Sequence, residues 1–348
     1  MKEKLLEMPF DQYQRYLVVK NCVEAYKGYT RKETVSILDV GGYPGLIKDF
    51  ITADKVTVTD VIKDNMPDYI KADATSLPFK DNSFDVVSST DVLEHIPEGK
   101  REKFINESLR VAKDLLIVVA PFNQTLNPVF EGILSEYVVS LTGAPHPFLK
   151  EHIENGLPDF QSVASLFKKR NLEYISFPNG YLYNWLIMMM IHAYLRGYSH
   201  YEELRKKIDK YYNENFSPTD NREPAYRTVL IVSKKNDRSL LETIHSIGAN
   251  TSDPPDSEIA ERVRLISMVG NLFRAEIDSK PVALLEQRII DLKNEASEMK
   301  ALIANQKKTI ASQEKELADL RRWISEIQKK PSYKLYRYFR KILRRAGE

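Results

Sequence analysis

A layered α/β domain followed by a long helical rod is the architecture this chain predicts, and three observations carry it. Short apolar runs rich in valine and isoleucine alternate with helical stretches over residues 1–235. A glycine-rich turn, Gly41-Gly42-Tyr43-Pro44-Gly45, follows the first apolar run, Ile37-Leu38-Asp39-Val40. From Leu285 onward, apolar residues recur at alternating spacings of four and three. Alternating strands and helices argue for a mostly parallel, doubly wound sheet, whose ligand crevice lies at the carboxyl ends of its strands.

The elements follow in order. Tyr13, Leu17, Val18, Cys22 and Tyr26 share helical spacing, so Phe10–Tyr26 reads as a helix ahead of the first strand, placed either to cover a ligand or to pack the core without touching one. Glycines at 41, 42 and 45 let the backbone turn tightly and approach that ligand. Leu46–Ile51 reads as a helix whose first N–H groups are unpaired and point at the crevice. Strands are expected over Val56–Asp60, Tyr69–Ala72, Phe84–Ser88 and Leu115–Ala120, with a helix over Lys100–Ala112. A helix over Gln161–Lys169 and strands at Leu172–Phe177 and Tyr226–Lys234 complete the sheet. Between those last strands lies an insertion, 178–222, holding the apolar run Leu182–Leu195. Fourteen residues are too few to span a bilayer, so the run is expected to cap the sheet or line an acceptor pocket.

Composition changes after residue 235. Region 236–280 reads as a linker, Ala249–Ser257, and a helix, Glu258–Ile277. Region 281–330 carries the heptads, from Leu285, Ile289 and Leu292 to Leu320, Ile324 and Ile327. That pattern predicts a coiled coil, with isoleucine at one seam position and leucine at several others favouring two strands and hence a homodimer. Gln306 and Gln313 interrupt the seam and fix register. Pro331 ends the rod. In the tail, 331–348, Leu335, Tyr338, Phe339, Ile342 and Ala346 share one helical face, with Lys334, Arg337, Lys341, Arg344 and Arg345 largely off it. Such a basic amphipathic helix suits an anionic membrane surface or an assembly partner.

Composition excludes several classes. The net charge of +2 hides +7 on residues 281–348 and −5 on 1–280. A nucleic-acid enzyme would carry its basic residues around the active site, so no nucleic acid is expected. One cysteine, Cys22, cannot form an internal disulfide, which suits a reducing cytoplasm. MKEKLLEMPF lacks the apolar run of a signal peptide, and no stretch reaches the roughly 20 apolar residues of a transmembrane helix. A cytoplasmic protein, peripheral on the inner face of the cell membrane, is the expectation.

Four motifs stand in order: the glycine turn after Asp39, the acid Asp60 at the end of Val56–Asp60, the segment KADATSLPF with Asp73, and SFDVVSSTDVLEHIP, 83–97. At these residues the chain resembles the class I S-adenosylmethionine-dependent methyltransferases, specifically the type 11 group with its LPF, SFD and VLEH series. The resemblance covers roughly residues 10–235 and implies a Rossmann-like, seven-stranded doubly wound sheet. It implies that Asp39, Gly41 and Gly45 hold the amino acid part of S-adenosylmethionine, with Gly42 and Tyr43 lining it. Asp60 would accept from the ribose hydroxyls, Val61 pack on adenine, and Asp73, with Ala74 beside it, accept from the adenine amino group. Ser89 and Thr90 would lie near the methionine portion. Tyr43 departs from the family, standing where its middle glycine would be, so a reshaped turn is expected.

Methyl transfer needs positioning, exclusion of water and removal of one proton. The acceptor side is expected in 143–158, after the fifth strand, with His146 and His152 as candidate bases and Asp91 a third. A pair of histidines with Glu151 could also hold a divalent metal, although no metal ligand set is assigned. His95, in VLEH, is expected to pack or cap a helix. Rod and basic tail resemble those of methyltransferases in surface-polysaccharide assembly, which implies a saccharide or lipid-linked glycan acceptor. The rivals are a small-molecule methyltransferase acting on a quinone or secondary metabolite, and a non-catalytic coiled-coil scaffold with a degenerate methyltransferase domain.

Overall fold

The computed structural model describes residues 2–196, 201–248, 257–279 and 283–329, with 331, 332, 335 and 337. The chain divides into two compact units, Met1–Ser279 and Lys280–Glu348.

The first unit is built on a seven-stranded mixed sheet, the Rossmann-like arrangement of the methyltransferases. Its strands are β1 (Ser36–Val40), β2 (Lys55–Asp60), β3 (Tyr69–Lys71), β4 (Phe84–Thr90), β5 (Ala112–Ala120), β6 (Glu173–Tyr181) and β7 (Ala225–Ser233). Their order is β3-β2-β1-β4-β5-β7-β6, parallel from β3 to β5, with β7 antiparallel to both neighbours. The central strands are apolar on both faces because both faces are covered. On one side, after the short α1 (Lys2–Leu6), Ile37, Val58, Val86, Ile117 and Ile231 pack under helices α2 (Phe10–Thr30), α3 (Ile47–Phe50) and α10 (Arg238–Gly248). On the other, Leu38, Val87, Leu116, Val118 and Leu230 pack under α4 (Glu98–Val111) and α7 (Phe160–Lys169).

Two pairs of helices leave the sheet at its carboxyl edge. Helices α5 (Asn127–Thr142) and α6 (Pro147–Asn155) follow β5; α8 (Leu182–Arg196) and α9 (Glu202–Asn215) join β6 to β7. With α11 (Glu258–Ser279) they share a separate apolar cluster around Leu134, Leu149, Trp185, Met188, Ile208, Tyr212 and Leu265. Trp185 stacks on Tyr226 of β7 at 3.7 Å, tying this helical cap to the sheet. The apolar run of α8 is therefore spent on packing, with Asn184 buried against Asp220 at 3.2 Å and His192 against Asp209 at 2.8 Å.

Strand β6 runs four residues beyond the expected Phe177, because Pro178, Asn179 and Tyr181 keep pairing with β7. The first unit also continues past residue 235. Leu240, Leu241 and Ile244 of α10 enter the sheet core, and Leu265 and Val269 of α11 enter the cap. Residues 249–256, expected as a linker, lie outside the described residues.

In the second unit, α12 (Ala283–Lys329) is one 47-residue helix. The expected seam lies along it with its side chains about half exposed, including Ile289, Leu292, Ile303, Ile310, Leu317 and Ile324. The basic tail expected over 331–348 falls almost wholly outside the described residues. No helix among the described residues is long and apolar enough to cross a membrane.

Candidate active site

The glycine turn begins where β1 ends. Gly41 N–H donates to the Thr59 carbonyl at 2.7 Å, and Gly45 N–H to the Gly42 carbonyl at 2.6 Å, closing a tight loop. Gly41 and Gly45 sit at φ +74° and +84°, a region that favours glycine. Space is as restrictive as conformation. A Cβ on Gly41 would lie 2.3 Å from Val92 Cγ2, and one on Gly42 would lie 2.0 Å from Asp39 Oδ2.

Asp39 is fully buried beneath this loop. Its Oδ1 accepts from Ser88 Oγ at 2.9 Å, while Oδ2 has no partner among the described residues. Burial pushes its carboxyl up to about 7, with Ser88 and Arg15 offsetting part of the effect. Asp60, at the end of β2, accepts from the N–H groups of Tyr43 and Ile62, both at 3.3 Å. Beside it Val61 and Ile62 expose apolar side chains, and the Tyr43 ring stands edge-on to Tyr69 at 6.4 Å. Asp73 accepts from Thr75 N–H and Oγ1, each at 2.8 Å, and these bonds hold its carboxyl below the usual range. Ala74 packs partly buried beside it. Ser89 Oγ donates to the Val40 carbonyl at 3.0 Å, and Thr90 lies buried at the end of β4.

This set fits S-adenosylmethionine. A buried carboxylate oxygen without a partner suits the donor's ammonium, Asp60 beside the turn suits a ribose diol, and Val61 and Ile62 offer an apolar face for adenine. The methyl donor itself would supply the electrophile.

Asp91 follows β4 in the left-handed region, φ +52°. Arg227 of β7 grips it through Nε and Nη2 at 2.6 and 2.7 Å, and Arg15 of α2 through Nη1 at 2.6 Å. Burial alone would raise its carboxyl, but the two guanidinium groups hold it well below the usual range. A carboxylate held so firmly in its charged form is a weak proton acceptor, so Asp91 serves to join three elements rather than as a free base.

Next to it, Leu93–His95 form a 3₁₀ turn. His95 does more than pack or cap: its Nδ1 lies 2.7 Å from Glu151 Oε2, and its Nε2 lies 3.4 Å from Nε2 of His152. His152 Nδ1 in turn meets Glu131 Oε1 at 2.8 Å, and Glu131 also accepts from the Tyr226 hydroxyl at 2.8 Å. His146 turns elsewhere, accepting from Arg196 Nη1 at 2.6 Å; burial and that guanidinium lower its pKa. The structure thus brings His152 to His95 and Glu151, and sends His146 to α8. Sequence reasoning passed over Arg15, Glu94, Glu131 and Arg227. Glu94 and His95 were signalled by their place directly after a strand end in the crevice, whereas the two arginines carried no local signal.

Comparisons agree with this geometry. Residues 48–117, which hold Asp60, Asp73, Ser89, Thr90, Asp91 and His95, match the family model described as a methyltransferase domain. An uncharacterized methyltransferase of Mycobacterium sp. (strain KMS) is 34% identical over 104 residues, 27% of this chain and 40% of the relative. A demethylmenaquinone methyltransferase of Paenarthrobacter aurescens is 37% identical over 73 residues, 21% of this chain and 28% of the relative. The chain therefore spans less than half the length of these curated relatives. Among solved structures, a putative methyltransferase of Bacillus halodurans has 15% identity and a TM-score of 0.35, covering 61% of this chain and 98% of that one. Magnesium protoporphyrin IX methyltransferase of Synechocystis, solved with bound SAH, has 12% identity and a TM-score of 0.38, covering 64% and 85%. The methyltransferase-domain match over 48–117 therefore lies on the strands that end at or just before Asp60, Asp73 and Thr90, beside the glycine turn.

Proposed function

We propose that this protein is an S-adenosylmethionine-dependent methyltransferase that O-methylates a saccharide or lipid-linked glycan intermediate near a membrane. The observation that carries the donor half is the cradle of Asp39, Gly41, Gly42, Gly45 and Asp60 at the carboxyl edge of the sheet, with the buried Asp39 oxygen left unpartnered. The acceptor half draws support from the polar wall beside it, where His95, His152, Glu131 and Glu151 cluster under the cap. A hydroxyl-rich acceptor matches such a wall better than an apolar ring does. The half-exposed seam of α12 supports pairing with a second copy, and the basic tail supports an anionic surface, so that a dimer presents two anchors to one membrane.

Calorimetric titration with S-adenosylmethionine tests the donor half, and absence of binding ends this reading. Given binding, turnover on saccharide against quinone acceptors tests the other half. The quinone reading keeps a place because a local relative is a demethylmenaquinone methyltransferase, and quinone turnover without saccharide turnover would decide for it.

A further inference from the structure

Five side chains from three elements meet at the carboxyl edge beside Asp91: Glu94 and His95 of the 3₁₀ turn, Glu131 of α5, and Glu151 and His152 of α6. Ligand-capable atoms of Glu94, His95 and His152 all lie within 4.8 Å of one another. Each histidine presents Nδ1 to a carboxylate, His95 to Glu151 at 2.7 Å and His152 to Glu131 at 2.8 Å. A carboxylate accepts only, so both rings carry their proton on Nδ1. In the neutral rings each Nε2 then presents a lone pair, and the two nitrogens lie 3.4 Å apart. Glu94 compounds the mismatch, being buried with Oε2 unpartnered among the described residues. Two imidazole nitrogens and a buried carboxylate, gathered within 4.8 Å of one another, form a ligand set for one cation.

We propose that Glu94, His95 and His152 bind a divalent cation, with zinc the best match. Geometry selects the class. An ion about 2.1 Å from both nitrogens, the usual zinc–imidazole length, would see them at about 108° when they are 3.4 Å apart, close to a tetrahedral angle. Two nitrogens and one oxygen form the ligand set of open zinc sites, which leave a fourth position for solvent or substrate. Glu131 and Glu151 are positioning residues here. They fix the tautomers and strengthen the imidazoles as ligands, and Tyr226 steadies Glu131 in the same way. A fourth position left open on the ion would suit an acceptor hydroxyl, a role that rests on the methyltransferase reading; cation binding does not.

The test uses the tag-free full chain, without methyl donor, and Co²⁺ as the probe. Tetrahedral coordination is expected to give visible absorption bands that saturate at one equivalent, with Zn²⁺ displacing them and raising the melting temperature. His95→Gln and Glu94→Gln should each weaken Co²⁺ binding at least tenfold, and Glu131→Gln by about 10- to 100-fold while the bands keep their tetrahedral form. Melting curves in chelator show whether each variant folds, and His95→Gln, at the more exposed ligand, serves if the buried variants do not. Absence of bands in the wild type, or equal affinity in His95→Gln, overturns the site. Loss of S-adenosylmethionine binding with cobalt bands intact would count against the enzyme reading and leave the site standing.

Discussion

Replacing Asp39 by Asn should stabilise the ligand-free protein at pH 8 and at the same time remove its affinity for the methyl donor. The carboxyl has its ordinary value of 3.8 in the unfolded chain and about 7 in the fold, a rise caused first by burial. A raised acid is neutral in the fold below pH 4 at no cost. Between pH 4 and 7 the unfolded chain ionises first, so wild-type stability falls as pH climbs through that window. At about 1.4 kcal/mol per unit, the full loss above pH 7 is roughly 4 kcal/mol. Asn keeps the acceptor for Ser88 Oγ but turns the unpartnered oxygen into an unpartnered N–H donor, costing about 2 kcal/mol. The net gain of roughly 2 kcal/mol corresponds to a melting-temperature rise of roughly 4–8 °C at pH 8. Below pH 4 the gain is gone and the roughly 2 kcal/mol cost of the unpartnered N–H remains, so the variant should melt lower than wild type there. Thermal melts from pH 4 to 8.5, with and without S-adenosylmethionine, measure both effects: the wild type gains stability from the donor by mass action and the variant does not. An Asn variant that melts no higher than wild type at pH 8, or whose difference is the same at every pH, refutes the argument.

Further outcomes follow from the same geometry. Gly42→Ala places a methyl carbon on Asp39 Oδ2, so donor affinity in calorimetry should drop by more than a hundredfold and the melting temperature should fall. Arg227→Met leaves the buried Asp91 with Arg15 alone and should cost about 3–5 kcal/mol in denaturant unfolding; a cost under about 1 kcal/mol would show that the clamp is not structural. Tyr43→Gly should change stability little, since the ring is partly exposed, yet alter donor affinity: improved binding would mark the tyrosine as a compromise, lost binding a turn rebuilt around it. Deleting residues 280–348 should convert a dimer to a monomer in light scattering while donor binding persists, because the first unit contains the whole cradle.

The sheet was legible because all its strands but β3 are short apolar runs bounded by a turn, and the residues read as a donor cradle follow strand ends in sequence order. Glycine at 41 and 45 reported a backbone requirement that composition alone exposes. Helix α10 was not legible, since 11 residues with Leu240, Leu241 and Ile244 look the same beside a linker as against a sheet. The cap was legible only in α8, whose apolar run was expected to cover the sheet or line a pocket. Its core joins α5, α8, α9 and α11, whose apolar faces are complementary only in three dimensions. His152 was singled out for its residue type, but its partner His95 lies 57 positions away and no local pattern connects them.

Asp91, held by Arg15 and by Arg227, ties residues 76 and 136 positions apart into one point. During synthesis Arg15 is made first and Arg227 last, after every element that lines the crevice. Until β7 slots between β5 and β6, Asp91 has only one of its two cations and the cap has no Tyr226 on which Trp185 can stack. The Asp91 clamp and the Trp185–Tyr226 stack are therefore completed together, when the penultimate neighbour in the sheet arrives. A chain stopped before residue 225 would hold all four motifs in its sequence and still lack the second cation on Asp91 and the ring that Trp185 stacks on.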